Sequence, residues 1–204
     1  MLFQIHQDNP DLKKIKEAAK ILENGGIIIY PTDTVYALGC SLHQKRAIEK
    51  LAKIKNLKLK KANFSIIFHD LSHLSEYTKR IDRATYKILN KNLPGPFTFI
   101  LEASSQIPKL FDTNKKTVGI RIPENKIVME LVQALGHPLV TTSLHDDDQI
   151  LEYTTDPQVI EGNWLDKVDA IIDGGYGNNV PSTVVDLSEG YIDIIRQGIG
   201  ELRD

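Results

Sequence analysis

Cysteine is almost missing from this 204-residue chain: Cys40 is the single one. No disulfide can form within the chain, and such sparing thiol use fits a reducing compartment. A lone cysteine reads more readily as a small buried apolar side chain than as a nucleophile. Long apolar runs are missing too, with no stretch approaching the ~20 residues that cross a bilayer. The opening residues, MLFQIHQDNP, have neither the basic start nor the apolar core of a secretory signal. A soluble, cytoplasmic protein is expected, with no membrane partner. There is no excess of either charge: 25 Lys and Arg face 27 Asp and Glu, for a net charge of −2. Any nucleic-acid contact must therefore come from a local patch. Neither G-x-x-x-x-G-K-[ST] nor a helix-opening G-x-G-x-x-G occurs. No repeat, low-complexity tract or linker divides the chain, so a single domain over residues 1–204 is expected, long enough for a substantial core.

What the chain does have centres on Tyr30-Pro31-Thr32-Asp33-Thr34-Val35-Tyr36-Ala37-Leu38-Gly39-Cys40. Ile27-Ile28-Ile29 enters it after two glycines and reads as a buried strand. Pro31 ends that ladder because it has no backbone donor. Three short polar groups then stand at a strand end, where ligands of α/β sheets usually sit. An ordinary polar turn is the competing reading. Upstream, Leu2 to His6 alternates as a short strand, and Asn9-Pro10 looks like the start of a helix that Gly25 closes. A second helix is predicted from about His43 to Lys55, followed by Lys53, Lys55, Lys58, Lys60 and Lys61. That run is either a solvated basic loop or, folded back over the Thr-rich loop, a site for phosphate or carboxylate.

Further strands are predicted at Asn63 to His69, Phe97 to Leu101, Thr117 to Ile122, Pro138 to Ser143, Asp169 to Asp173, Ser182 to Leu187 and Tyr191 to Ile195, the last two paired. Residues 71–92 read as two helices, the second capped by Asp82. Asn125 caps a helix through Leu135, and Asp156-Pro157 starts one reaching about Trp164. Arg121 falls in an apolar strand and needs an anionic partner, either a protein carboxylate or a ligand. His145 precedes Asp146-Asp147-Asp148; adjacent aspartates read as a solvated acidic loop rather than as converging Mg²⁺ ligands. His69 and His73 are four apart, but His69 belongs to a strand end, so no metal site is assigned there.

Taken in order, P-T-D-T-V-Y-A-L-G, L-P-G-P-F-T-F-I-L, T-V-G-I-R-I-P, P-L-V-T-T-S, D-G-G, P-S-T-V-V-D and I-I-R-Q-G resemble the YrdC/YciO family of threonylcarbamoyl-AMP synthase-like proteins. The resemblance runs from about Gly25 to Gly200, and A-L-G-C with the chain length looks most like the YciO branch. It implies a twisted, mixed parallel/antiparallel α/β sheet with a large concave surface. It also implies a nucleotidyltransferase: threonine, bicarbonate and ATP, with Mg²⁺ accompanying ATP, give threonylcarbamoyl-adenylate for tRNA modification. On the positions that match, the expected catalytic residues are Lys55 and Arg121. Thr32, Thr34, Tyr36, Ser143 and Ser182 are expected to bind substrate, and Lys58, Thr117, His145 and Arg196 nucleotide. There are departures. Leu57 stands where the family's K-x-R-P has arginine, Leu144-His145 follows Ser143 in place of A-N, and Gln197 replaces the proline of R-P-G. Phe68 occupies the strand histidine's position, with His69 one place later. These changes leave two alternatives: an RNA- or nucleotide-binding module without synthase activity, or a hydrolase of threonylcarbamoyl groups.

Overall fold

Successive side chains of a strand leave on opposite faces, and the run Ile27–Tyr30 is covered on both. Ile27 and Ile29 pack into one apolar cluster with Leu38, Ile48 and Leu51. Ile28 and Tyr30 pack into another with Ile15, Leu22, Ile127 and Leu131. The structure is a computed structural model that describes residues 1–111, 114–144 and 155–203, with Pro108 and Leu110 described by their backbone alone. Its strands are β1 (Leu2–Gln4), β2 (Ile27–Tyr30), β3 (Ala37–Ser41), β4 (Ser65–Ile67), β5 (Phe97–Glu102), β6 (Thr117–Arg121), β7 (Leu139–Ser143), β8 (Ala170–Asp173), β9 (Thr183–Asp186) and β10 (Asp193–Arg196). They form one sheet in the order β1-β8-β2-β3-β7-β4-β6-β5-β9-β10. Pairing is mixed: β8 runs parallel to β1 and β2, β3 is antiparallel to β2 and β7, and β5 is antiparallel to β6 but parallel to β9.

The helices are α1 (Leu12–Glu23), α2 (Lys45–Ile54), α3 (Leu74–Tyr77), α4 (Arg83–Asn92), α5 (Gln106–Phe111), α6 (Lys126–Leu135) and α7 (Pro157–Trp164), with a 3-10 turn at Leu59–Lys61. α1 and α6 cover the Ile28 face, and α2 packs on the other. None of these helices is long and apolar enough to cross a membrane.

Some boundaries differ from the sequence reading for physical reasons. Helix α1 is capped by Asp11, not Asn9, because the Asp11 carboxylate accepts the Lys13 and Lys14 N–H groups and leaves Pro10 outside. The segment Ala37–Ser41 is a strand that alternation did not reveal. All five of its residues are buried, between β2 and β7, so polar and apolar positions do not alternate along it. Helix α2 is shorter than His43 to Lys55, since the Ser41 hydroxyl holds the His43 N–H in a turn before it.

Asp169 ties β2 to its neighbour. Its Oδ2 accepts the Ile27 N–H at 2.8 Å and the Lys50 ammonium at 3.0 Å. Burial pushes this carboxyl up, but those two partners outweigh it and hold it below the ordinary carboxylate range. A depressed acid stabilises fully above its unfolded value and loses that contribution as pH falls through the folded value. Thermal melts between about pH 6 and pH 2 should therefore show a shallower acid limb for Asp169→Asn than for wild type. Parallel limbs would remove Asp169 from the acid response.

Candidate functional site

The loop between β2 and β3 builds the first wall. Thr32 Oγ1 lies 2.7 Å from the Val35 carbonyl and accepts the Thr34 N–H at 3.1 Å. Its one hydroxyl proton is committed to that carbonyl, so Thr34 donates in the 3.1 Å contact between the two hydroxyls. Thr34 Oγ1 in turn accepts from Arg121 Nη2 at 3.0 Å. The same nitrogen donates to Asp33 Oδ1 at 3.1 Å, and Asp33 Oδ2 accepts the Glu124 N–H at 3.0 Å. Burial raises the Asp33 carboxyl above its ordinary value, against the pull of the Arg121 guanidinium.

Arg121 ends β6 with its side chain 8% exposed. Its Nε–H is buried and has no hydrogen-bond partner. Guanidinium is a pure donor, and leaving one buried donor unmet costs about 1–3 kcal/mol. The side chain lines a cavity of about 420 Å³ whose floor is crossed by β5, β6 and β7. Three cations line it among the described residues: Lys115, Arg121 and Arg196. Hydroxyls of Thr34, Ser65, Thr98, Thr117, Ser143 and Ser182 join them, and Phe64, Ile107 and Phe111 add an apolar side. No aspartate or glutamate is among the described lining residues. Such a surface suits an anion, and offers a bare divalent cation no carboxylate.

At the far wall, Arg196 donates to the Ser182 carbonyl through Nη2 at 2.9 Å and Nε at 3.3 Å. Ser182 and Thr98 hydroxyls lie 2.9 Å apart. A register shift between Ile194 and Arg196, where β10 pairs with β9, precedes this residue. Gln197, where the resemblance has proline, donates to the Gly200 carbonyl at 2.7 Å and so secures the chain after β10.

Of the residues singled out in the sequence, the structure brings Thr34, Thr117, Arg121, Ser143, Ser182 and Arg196 to this cavity. Thr32 stands behind Thr34 as its support. Lys55 is buried off the cavity wall, where its ammonium donates to the Ser143 carbonyl at 3.2 Å. Tyr36 is placed elsewhere. Its ring is fully buried, and its hydroxyl donates to the Gly175 carbonyl at 2.7 Å and accepts the Gly174 N–H at 3.2 Å. A Cβ on Gly177 would come within 2.7 Å of that ring, so the glycine loop after β8 is shaped around Tyr36. Lys58, with Lys60 and Lys61, is exposed and absent from the cavity lining. Asn56 explains this: its left-handed backbone (φ +53°) ends α2 and turns the run aside, with the Leu57 N–H closing on the Ala52 carbonyl. Phe68 is buried against Tyr77, while His69 turns to a different cavity with His43, His73 and His137. His145 and Asp146 to Asp148 lie outside the described residues.

Among the lining residues that the sequence reading did not single out are Thr98 and Lys115. Thr98 had a signal: in Phe97-Thr98-Phe99 the aromatic pair points to the core, so the threonine must face the opposite side. Lys115 had none, since a lysine before a strand is usually solvated.

The family model for the Sua5/YciO/YrdC domain, described as telomere recombination, matches residues 20–198. The chain belongs to the Sua5/YciO/YrdC family. Within it, an uncharacterized protein of Haemophilus influenzae is 42% identical over 201 residues, 97% of this chain and 95% of that one. Escherichia coli YciO, also uncharacterized, is 39% identical over 203 residues, covering 98% and 97%. The crystal structure of E. coli YciO superposes with a TM-score of 0.89 at 38% identity over 98% of this chain and 97% of that one. P. abyssi Sua5 complexed with L-threonine gives a TM-score of 0.87 at 25% identity, covering all of this chain but 62% of Sua5. The mixed α/β sheet is thus the Sua5/YciO/YrdC fold.

Proposed function

We propose that this protein is a threonylcarbamoyl-AMP synthase-like enzyme, joining threonine, bicarbonate and ATP into threonylcarbamoyl-adenylate, with release of pyrophosphate and water. The observation that carries this reading is the buried, unpartnered Nε–H of Arg121 in a cavity whose described lining is cationic and hydroxylic without a carboxylate. A related chain, P. abyssi Sua5, was crystallised with L-threonine, and a carboxylate is the acceptor such a donor needs.

The threonine amine attacks the carbon of bicarbonate, water leaves, and a carbamate oxygen attacks the α-phosphate of ATP as pyrophosphate departs. No protein nucleophile is required, so catalysis rests on positioning and charge stabilisation. Arg121 takes the threonine carboxylate through Nε while Asp33 and Thr34 fix its plane. Ser143 and Ser182 orient the ligand by hydrogen bonds, and Lys55 acts from behind by holding the Ser143 backbone. Thr117 and Arg196 serve the nucleotide. Mg²⁺ would arrive with ATP, since the described lining offers it no carboxylate.

Pyrophosphate release tests the proposal: release should require threonine, bicarbonate and ATP together. Leu57, 42% exposed where the resemblance has arginine, favours a second reading, in which the cavity binds nucleotide or RNA without synthesis. ATP binding with no pyrophosphate under any combination would select that alternative.

A further inference from the structure

One strand row ties the two ends of the cavity together. Thr117, Gly119 and Arg121 of β6 are alternate residues, so they share a face of the sheet, and all three line the cavity. Lys115 continues the same alternation one step before the strand and also lines it. The row thus has a guanidinium at one end and an ammonium at the other. From Thr117 to Arg121 is four steps of about 3.3 Å, or about 13 Å, with Lys115 beyond. Gly119 keeps the floor between them low: a Cβ there would meet the Ser65 hydroxyl at 2.7 Å. Such a floor suits a ligand with an anionic group at each end.

We propose that Lys115 receives the terminal phosphates of a nucleotide polyphosphate laid along β6, opposite the amino-acid end at Arg121. This deepens the reading given above and rests on it. The ammonium is already held at the cavity: it donates to the Lys61 carbonyl at 3.4 Å and to the Ala62 carbonyl and Asn63 Oδ1. These oxygens orient the ammonium at the cavity edge, and a phosphate oxygen replaces the longest of the three contacts, the one to the Lys61 carbonyl. Burial lowers its pKa, as expected of an ammonium drawn from water. The lysine run at 58–61 supplies one backbone carbonyl here, that of Lys61, and its exposed lysine side chains lie off the cavity lining. Lys115, far from that run in sequence, is the lysine that lines the cavity among the described residues.

Calorimetric titration of full-length wild type, Lys115→Ala and Lys115→Arg with ATP, pyrophosphate, adenosine and threonine tests this, with a tRNA arm alongside. A charge-assisted contact is worth about 1.5–3 kcal/mol, so Lys115→Ala should weaken ATP and pyrophosphate about 10- to 100-fold. Adenosine and threonine should bind as to wild type, and Lys115→Arg should recover most of the loss. Unchanged ATP and pyrophosphate affinity in Lys115→Ala overturns the assignment. So does an equal loss for adenosine and threonine, which would make Lys115 only a strut for the loop at 61–63. Loss confined to tRNA would also overturn it, giving the ammonium to an RNA backbone. Wild type that binds neither ATP nor pyrophosphate instead removes the parent reading of the cavity.

Discussion

Arg121→Ala is expected to lower threonine-dependent pyrophosphate release about 10²- to 10³-fold, the 2.7–4 kcal/mol lost when one preorganised donor is removed from a reacting centre. The guanidinium sits at the meeting point of the loop after β2 and the end of β6, held by Asp33 and Thr34 with its Nε left for an acceptor. The alanine variant also strands Asp33, so its melting temperature must be measured with its rate. Arg121→Lys separates the two effects. It keeps the charge beside Asp33 but loses the planar fork, so it should melt closer to wild type while remaining strongly impaired. A lysine variant as active as wild type would reduce Arg121 to a structural ion pair.

Asp33→Ala should destabilise the protein by about 3–5 kcal/mol, because it leaves a buried guanidinium without its carboxylate. For a domain of this size that is a fall of roughly 6–20 °C in melting temperature. Both partners of this pair are 8% exposed, so solvent screening gives little relief. The Glu124 N–H loses its acceptor as well. Asp33→Asn keeps an oxygen for one of the two donors and should lose less. A melting temperature within a degree or two of wild type for Asp33→Ala would mean that the pair contributes little.

The sheet was largely legible because its strands are short apolar runs punctuated by proline and glycine, as at Ile27–Tyr30 before Pro31 and Thr117–Arg121 before Pro123. Ala37–Ser41 was not, because a strand covered on both faces carries no alternation and its small residues resemble a turn. Arg121 stood out as a charge in an apolar strand. Of its two candidate partners the structure shows the protein carboxylate, Asp33 on Nη2, and leaves the Nε–H buried without an acceptor. Local pattern could not reach the remainder. Whether Thr32 or Thr34 faces the cavity depends on the direction of a hydroxyl chain. Tyr36 turns away to meet glycines nearly 140 positions downstream. The lysine run is deflected by the left-handed Asn56, and Lys115 arrives from a segment with no motif of its own.

The most direct test observes the Arg121 Nε–H itself. In a ¹⁵N-labelled sample, with the resonance assigned by its disappearance in Arg121→Lys, L-threonine should shift the Nε–H signal saturably as the carboxylate engages it. A signal that stays in place while threonine reaches saturation, or a protein that takes up no threonine at all, would contradict the claim that this cavity grips an amino acid through Arg121.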